Sequence, residues 1–115
     1  MRDFRKYNVW KLGHQVTLEM YRLSQEFPKE EIYGIISQMR RAAYSIPSNI
    51  AEGCGRESDA EFKRFLTISQ GSASELEYFT ILAKDLGYLA ESKYALLNDN
   101  VNKVKRSLNN LINKI

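Results

Sequence analysis

A proline inside an otherwise unbroken helical stripe is the feature that most limits what this chain can fold into. Ile36, Met39, Ala43, Ile46 and Ile50 recur at spacings of three and four, the mark of one buried helix face, and Pro47 falls within that run. A mid-helix proline lacks the N–H that would bond the carbonyl of Ala43, and its ring crowds that carbonyl. The defect costs about 3 kcal/mol unless a kink or packing absorbs it. A chain that keeps such a residue needs neighbours that answer it. Ser45, Ser48, Asn49 and Ala51 are polar or small enough to serve the freed carbonyl and to admit a second helix at close range.

The remaining stripes are helical as well. Val9, Leu12, Val16, Met20, Leu23 and Phe27 predict a first helix capped by Asn8 and ended by Pro28, because the residue before a proline is pushed out of helical geometry. The second helix is expected from near Glu30, with Glu30 and Glu31 in its first turn at the positive end of the dipole, through Pro47 to about Gly53. Gly53, Cys54 and Gly55 are expected to stop it in the left-handed conformation that glycine adopts. Ser58 with Glu61 is a capping box that opens a third helix. Its expected seam is Phe62, Phe65, Ser69, Ser72, Leu76, Phe79, Ala83 and Leu86, closed by Gly87. A fourth helix from near Glu91 carries Tyr94, Leu97, Val101, Val104, Leu108, Leu111 and Ile115. With 115 residues, two prolines and six glycines, the chain reads as one domain over residues 1–115. The expected class is all-α, an antiparallel up-down-up-down four-helix bundle with short loops.

Charge and chemistry narrow the function. Net charge is +3, and the cations concentrate at the two ends: Arg2, Arg5, Lys6 and Lys11 against Asp3 at the start, and Lys103, Lys105, Arg106 and Lys114 without an acid at the finish. Such ends suit an anionic partner such as nucleic acid, or are simply solvated helix termini. His14 is the only histidine and Cys54 the only cysteine, too few for a zinc cluster or a Cys–His catalytic pair. His14 reads as surface and Cys54 as a structural thiol. No phosphate-binding glycine loop or nucleophile elbow occurs, so the expectation is a protein that is not an enzyme, with no cofactor and no metal. A single cysteine, no secretory leader and no long apolar run point to the cytoplasm and away from a membrane.

Hairpin geometry places residues by height. If consecutive helices are antiparallel, Trp10 falls level with Pro47, so Trp10 and Asn49 are expected to pack at the bend. Arg41 falls level with Gly71, and Glu75 with Ser37, heights that agree to about one turn, or roughly 5 Å. An inter-helix ion pair between Arg41 and Glu75 is the expectation there, and Glu52 with Arg56, four apart, is expected to brace the helix end. The small residues Ser69, Gly71, Ser72 and Ala73 suit close helix approach. The N-terminal arm, Pro47, Asn49, Arg56, Lys63, Arg64 and Lys114 gather at one end. Candidates for phosphate contact are Arg40, Arg56, Lys63, Arg64, Arg5, Lys6 and Lys11. Seven tyrosines exceed what one small core needs and suit a subunit interface.

The segments RRAAYSIPSNIAEG at residues 40–53, GR at Gly55 and Arg56, FKRFLTISQGSASELEY at residues 62–78, FPKEEIYGIISQ at residues 27–38 and LGYL at residues 86–89 closely resemble the four-helix-bundle family encoded in intervening sequences of bacterial 23S rRNA genes. The resemblance covers nearly the whole chain. It implies a ring-shaped homopentamer, and kinship with the accessory protein of diversity-generating retroelements implies binding of RNA or DNA, and of a partner protein, through a basic surface. The competing expectation is a protein-interaction scaffold without nucleic-acid affinity.

Overall fold

The computed structural model describes residues 2–115. It consists of α1 (Asn8–Ser24), α2 (Ile35–Cys54), α3 (Asp59–Asp85) and α4 (Glu91–Asn113), with 3-10 turns at Phe4–Lys6 and Lys29–Glu31 and no strand among the described residues. Helices adjacent in sequence pack on one another, α4 closes back on α1, and the diagonal pairs bring no Cα atoms within 8 Å of each other. That is the contact pattern of an up-down-up-down bundle. Met20, Met39, Ile46, Ile50, Leu66, Leu76, Leu97 and Leu108 are fully buried along its axis.

Several helix limits differ from the sequence expectation, each for a local reason. Tyr7, in extended conformation, holds the cap position of α1 without a side-chain bond, and Asn8 is the first helical residue. α1 ends at Ser24, and Phe27 is buried in the connection beyond it, 5.5 Å from the ring of Tyr88. α2 starts at Ile35 rather than near Glu30, because Gly34 takes a non-helical backbone (ψ −118°). Glu30 and Glu31 therefore belong to the 3-10 turn, where Glu31 accepts a 2.9 Å hydrogen bond from the Tyr88 hydroxyl. That bond raises the Tyr88 pKa.

α3 opens as expected, with Ser58 Oγ accepting from the Glu61 N–H at 3.1 Å. The Glu61 carboxylate turns to Arg64, so only half of the capping box forms. The buried seam of α3 is Phe62, Leu66, Ser69, Ala73, Leu76, Thr80 and Ala83, with Phe65 at its edge. Both this seam and the expected one step by three and four and share Phe62, Ser69, Leu76 and Ala83. Ser72 and Phe79 sit on its shoulder, half-buried, and Leu86 is exposed. Gly87 does close α3: its φ of 82° allows the Tyr88 N–H to reach the Ala83 carbonyl at 2.8 Å.

No left-handed glycine ends α2, since Gly87 is the only positive-φ glycine among the described residues. Gly53 is needed for space instead: a Cβ there would lie 2.9 Å from Phe65 Cβ and 3.3 Å from the Phe62 carbonyl oxygen. Gly71, expected to admit a neighbouring backbone, is exposed, and a Cβ there would meet no atom within 4 Å.

At Pro47 the answer to the missing N–H comes from α1. The Thr17 hydroxyl lies 3.0 Å from the Ala43 carbonyl and 2.8 Å from that of Gly13. The Gly13 carbonyl has the Thr17 N–H as its helical partner, whereas the Ala43 carbonyl has none, so the hydroxyl proton belongs on Ala43. Gly13 makes the approach possible: a Cβ on it would be 3.0 Å from Ile46 Cγ2 and 3.5 Å from Pro47 Cδ. From the other side the Ser69 hydroxyl of α3 donates to the Ile46 carbonyl at 2.9 Å. The local residues have another task. Asn49 Nδ2 donates to the Ser45 carbonyl at 2.8 Å, and the Ser72 and Ser45 hydroxyls meet at 2.9 Å across α2 and α3. Trp10 stacks on His14, at 5.1 Å and 7°, and packs against Phe4, so Gly13 rather than Trp10 fills the bend.

Between α3 and α4 the fastening is ionic. Lys105 Nζ donates to Glu77 Oε1 at 2.8 Å, and Gln70 Nε2 to the Lys105 carbonyl at 3.3 Å. The expected Arg41–Glu75 pair does not form; both residues are exposed, and the ion pairs of the described residues lie elsewhere.

Two measurements check these fastenings. Thr17→Val leaves the buried Ala43 carbonyl without a donor and is expected to cost about 1 to 3 kcal/mol in denaturant unfolding. In a Pro47→Ala background, where residue 47 regains its N–H, the same change is expected to cost much less; equal costs in both backgrounds would show that Thr17 does not serve that carbonyl. The hydrogen bond from Lys105 holds the Glu77 pKa below its ordinary value. The pair's contribution, about 0.2 to 1 kcal/mol for a partly exposed pair, is therefore present above the ordinary glutamate pKa and lost as pH falls through the lowered one. Glu77→Gln is expected to be less stable than wild type at pH 7 and equal to it once Glu77 is protonated.

Candidate nucleic-acid interface

The residues that could hold an anion sit mainly where α1 and α3 begin and α2 ends. The 3-10 turn at Phe4–Lys6 is folded by Asp3, whose carboxylate accepts from the Arg5 N–H at 3.1 Å. Arg2 lies across the bundle end. Its guanidinium rests 4.2 Å from the Phe62 ring centre, pairs with Asp59 and donates to the Arg56 carbonyl at 3.3 Å. Beside it Arg56 and Arg64 both cover the Phe65 ring, at 4.9 and 4.8 Å. Each also has a carboxylate: Glu52 at 3.5 Å for Arg56, the expected brace, and Glu61 at 3.1 Å for Arg64. Arg5 lies over Phe4 at 5.0 Å, with Asp3 at 3.8 Å.

Flat guanidinium groups on aromatic faces are worth about 0.5 to 1 kcal/mol each at exposed sites and hold the side chain in place. An arginine has five N–H donors, so one carboxylate does not exhaust it. The lysines differ. Lys6, Lys11 and Lys63 are exposed, and no carboxylate lies within 4 Å of them among the described residues. This end therefore offers placed arginines, partly neutralised, and ammonium groups without a carboxylate partner on the arm, α1 and α3.

Arg40 does not join this cluster. Its Nε donates to Ser24 Oγ at 2.8 Å and its guanidinium lies 4.7 Å from the Tyr21 ring centre, toward the opposite end of the bundle. It fastens α1 to α2 there. Arg2 was missed as a site residue, because sequence alone places the arm at this end but not its first arginine on Phe62.

Cys54 lies in the core under the arm, and its pocket is lined by Arg2, Asp3, Phe4, Arg5, Ala51 and Gly55. Burial raises its thiol pKa, against a smaller lowering by Arg2. A protonated, covered thiol is a packing group, not a nucleophile. Among the described residues no three His, Cys, Asp or Glu side chains gather as metal ligands. No helix is long and apolar enough to cross a membrane.

Comparison with known proteins agrees with this architecture. The family model described as 23S rRNA-intervening sequence protein matches residues 5–110. A crystal structure of a protein with unknown function from the S23 ribosomal protein family of Bacteroides thetaiotaomicron superposes with a TM-score of 0.85 at 23% identity, covering 90% of this chain and 97% of that one. At that identity the likeness speaks for the fold. Among curated proteins none matches the chain.

If Arg2 pins the arm, Arg2→Ala should speed the reaction of Cys54 with a neutral thiol reagent at pH 8. Loss of the Arg2 charge by itself would raise the thiol pKa and slow the reaction, so an increase reads the opening of the arm. An unchanged or slower rate would show that the Phe4–Trp10 contact holds the arm without Arg2.

Proposed function

The chain belongs to the 23S rRNA-intervening sequence protein family, and on that premise we propose that it is a non-enzymatic, cytoplasmic homo-oligomer that binds RNA or DNA through the basic end of its bundle. The feature that supports this most directly is the set of exposed lysines with no carboxylate within 4 Å, Lys6 in the arm, Lys11 early in α1 and Lys63 early in α3, at the same end of the bundle as the ring-stacked Arg2, Arg5, Arg56 and Arg64. Stacked arginines fix geometry and free lysines supply mobile charge, which together suit phosphates held at irregular spacing. Phosphate contacts position a protein on nucleic acid without reading its sequence. The reading is therefore of backbone recognition, with RNA or DNA as the target class.

A ring-shaped homopentamer is the proposed assembly. Large exposed side chains that a second copy could cover support it: Tyr33 is 93% exposed, Tyr78 57% and Leu96 53%. A single mass matching one chain, by light scattering at micromolar concentration, would overturn it.

Binding that neutralises phosphates weakens linearly in log–log terms as salt rises, because condensed counterions are released. Titration of a structured ribosomal RNA fragment at two salt concentrations is expected to show that dependence. The triple variant Lys6→Gln, Lys11→Gln, Lys63→Gln should lower the salt slope by about 1 per lysine removed, while Arg40→Gln should leave it unchanged. Absence of salt-sensitive binding at low ionic strength would favour the interaction scaffold instead.

A further inference from the structure

We propose that the outward faces of α2 and α3 bind a second copy of this chain head to tail, with Arg41 of one copy set against Glu75 of the next. The proposal rests on the oligomeric reading above and adds the surface that carries it. The Ser45–Ser72 hydroxyl contact at 2.9 Å fixes the heights of the two helices. Arg41 lies one turn from Ser45, and Glu75 three residues beyond Ser72, so the two stand at about one level. They are exposed charges of opposite sign at the same height, and no ion pair forms between them within the chain.

The surroundings of each charge fit a second copy. Ile68, Gly71, Glu75 and Tyr78 step by three and four along α3 and form an outward seam opposite the buried one, with Ile68 40% and Tyr78 57% exposed. Gly71, in the middle of this seam, faces open space. A glycine inside a helix costs about 1 kcal/mol relative to alanine, and no neighbour within the chain requires its missing Cβ. Close approach of another chain would. On α2 the outward residues are Arg41, Tyr44 and Ser48, with Tyr44 47% exposed. One face thus offers a cation beside a tyrosine, and the other a carboxylate beside a tyrosine, an isoleucine and a gap. Two different patches that complement each other make a heterologous contact, which closes into a ring when the rotation between copies permits.

The test is charge reversal with complementation by mixing. Arg41→Glu and Glu75→Arg are each expected to weaken self-association at least tenfold by sedimentation equilibrium, because each puts like charges at every junction. An equimolar mixture of the two variants is expected to recover assembled protein, since alternating copies restore opposite charges; a five-membered ring keeps at least one like-charged junction, so recovery is partial. The double variant should assemble alone. Gly71→Leu, which fills the open space without touching charge, should also weaken assembly while helix content by circular dichroism is unchanged, and it decides the matter if a charge variant loses helix content. Single variants that assemble like wild type would overturn the proposal. Rescue by the double variant without rescue by mixing would also overturn it, because Arg41 and Glu75 would then be pairing within one chain. A wild-type chain that is itself monomeric would instead overturn the oligomeric reading on which the proposal rests.

Discussion

The bond from Thr17 to the Ala43 carbonyl is the contact on which the arrangement of the helices depends. Pro47 deprives that carbonyl of its helical donor in the middle of a buried segment, where an unpaired polar group costs about 1 to 3 kcal/mol. The hydroxyl that replaces the donor belongs to α1, so the defect in one helix is relieved only when a second is present and in register. Gly13 lets α1 come close enough for this, with Pro47 Cδ 3.5 Å from where its Cβ would be. Ser69 adds a bond from α3 to the adjacent Ile46 carbonyl. Apolar seams alone tolerate sliding, because Leu, Ile and Val stripes fit at several heights. Directional bonds to one carbonyl from each flanking helix do not.

That register sets the end of the molecule where the charges collect. Once α2 is fixed against α1 and α3 at its middle, its last turns bring Gly53 against Phe62 and Phe65, close enough that a Cβ would collide. The phenylalanines are then held with a face open to the bundle end, and Arg2, Arg56 and Arg64 lie on those faces. A shift of one turn, about 5 Å, would take Phe65 away from Arg56, while Arg64, its neighbour on α3, would stay on the ring. The candidate interface thus rests on a core contact about two to three turns away, through packing rather than through any bond that reaches from one to the other.

Much of the fold was legible in the sequence, because four stripes with spacings of three and four specify four helices and short connections specify their order. Ser58 and Gly87 were legible for the same reason: cap chemistry is local. What needed coordinates was facing. Two heptad-like seams pass through α3, and only the position of α2 and α4 selects the one through Leu66, Ala73 and Thr80. Pro47 announced a missing donor, but a threonine four residues from Gly13 reads equally well as bonding within its own helix, so Thr17 gave no sign of reaching across. Hairpin heights brought Arg41 and Glu75 to within about one turn, yet height says nothing of direction. The glycines were visible, but not what each faces: Gly53 a phenylalanine backbone, Gly71 open space. At the candidate site the charges were legible, and so was the local Glu52–Arg56 brace, four residues apart; the Arg2–Asp59 pair was not, since it joins the N-terminal arm to the start of α3.

Pairing and assembly together bear on how a chain of net charge +3 could hold a polyanion. One basic end, with its arginines shared with carboxylates, is a weak site. Under cyclic symmetry every copy is related to the next by rotation about one axis, so equivalent ends of all copies face the same rim. In the proposed ring the arms and the Lys6, Lys11 and Lys63 ammonium groups of all copies would therefore stand on one face, and a single RNA or DNA strand could engage several at once. Linked weak contacts of that kind raise overall affinity through effective concentration, without any single contact becoming strong. A face that is weak per chain and strong only when assembled would make nucleic-acid binding a property of the oligomer, dependent on the same α2 and α3 faces that hold the copies together.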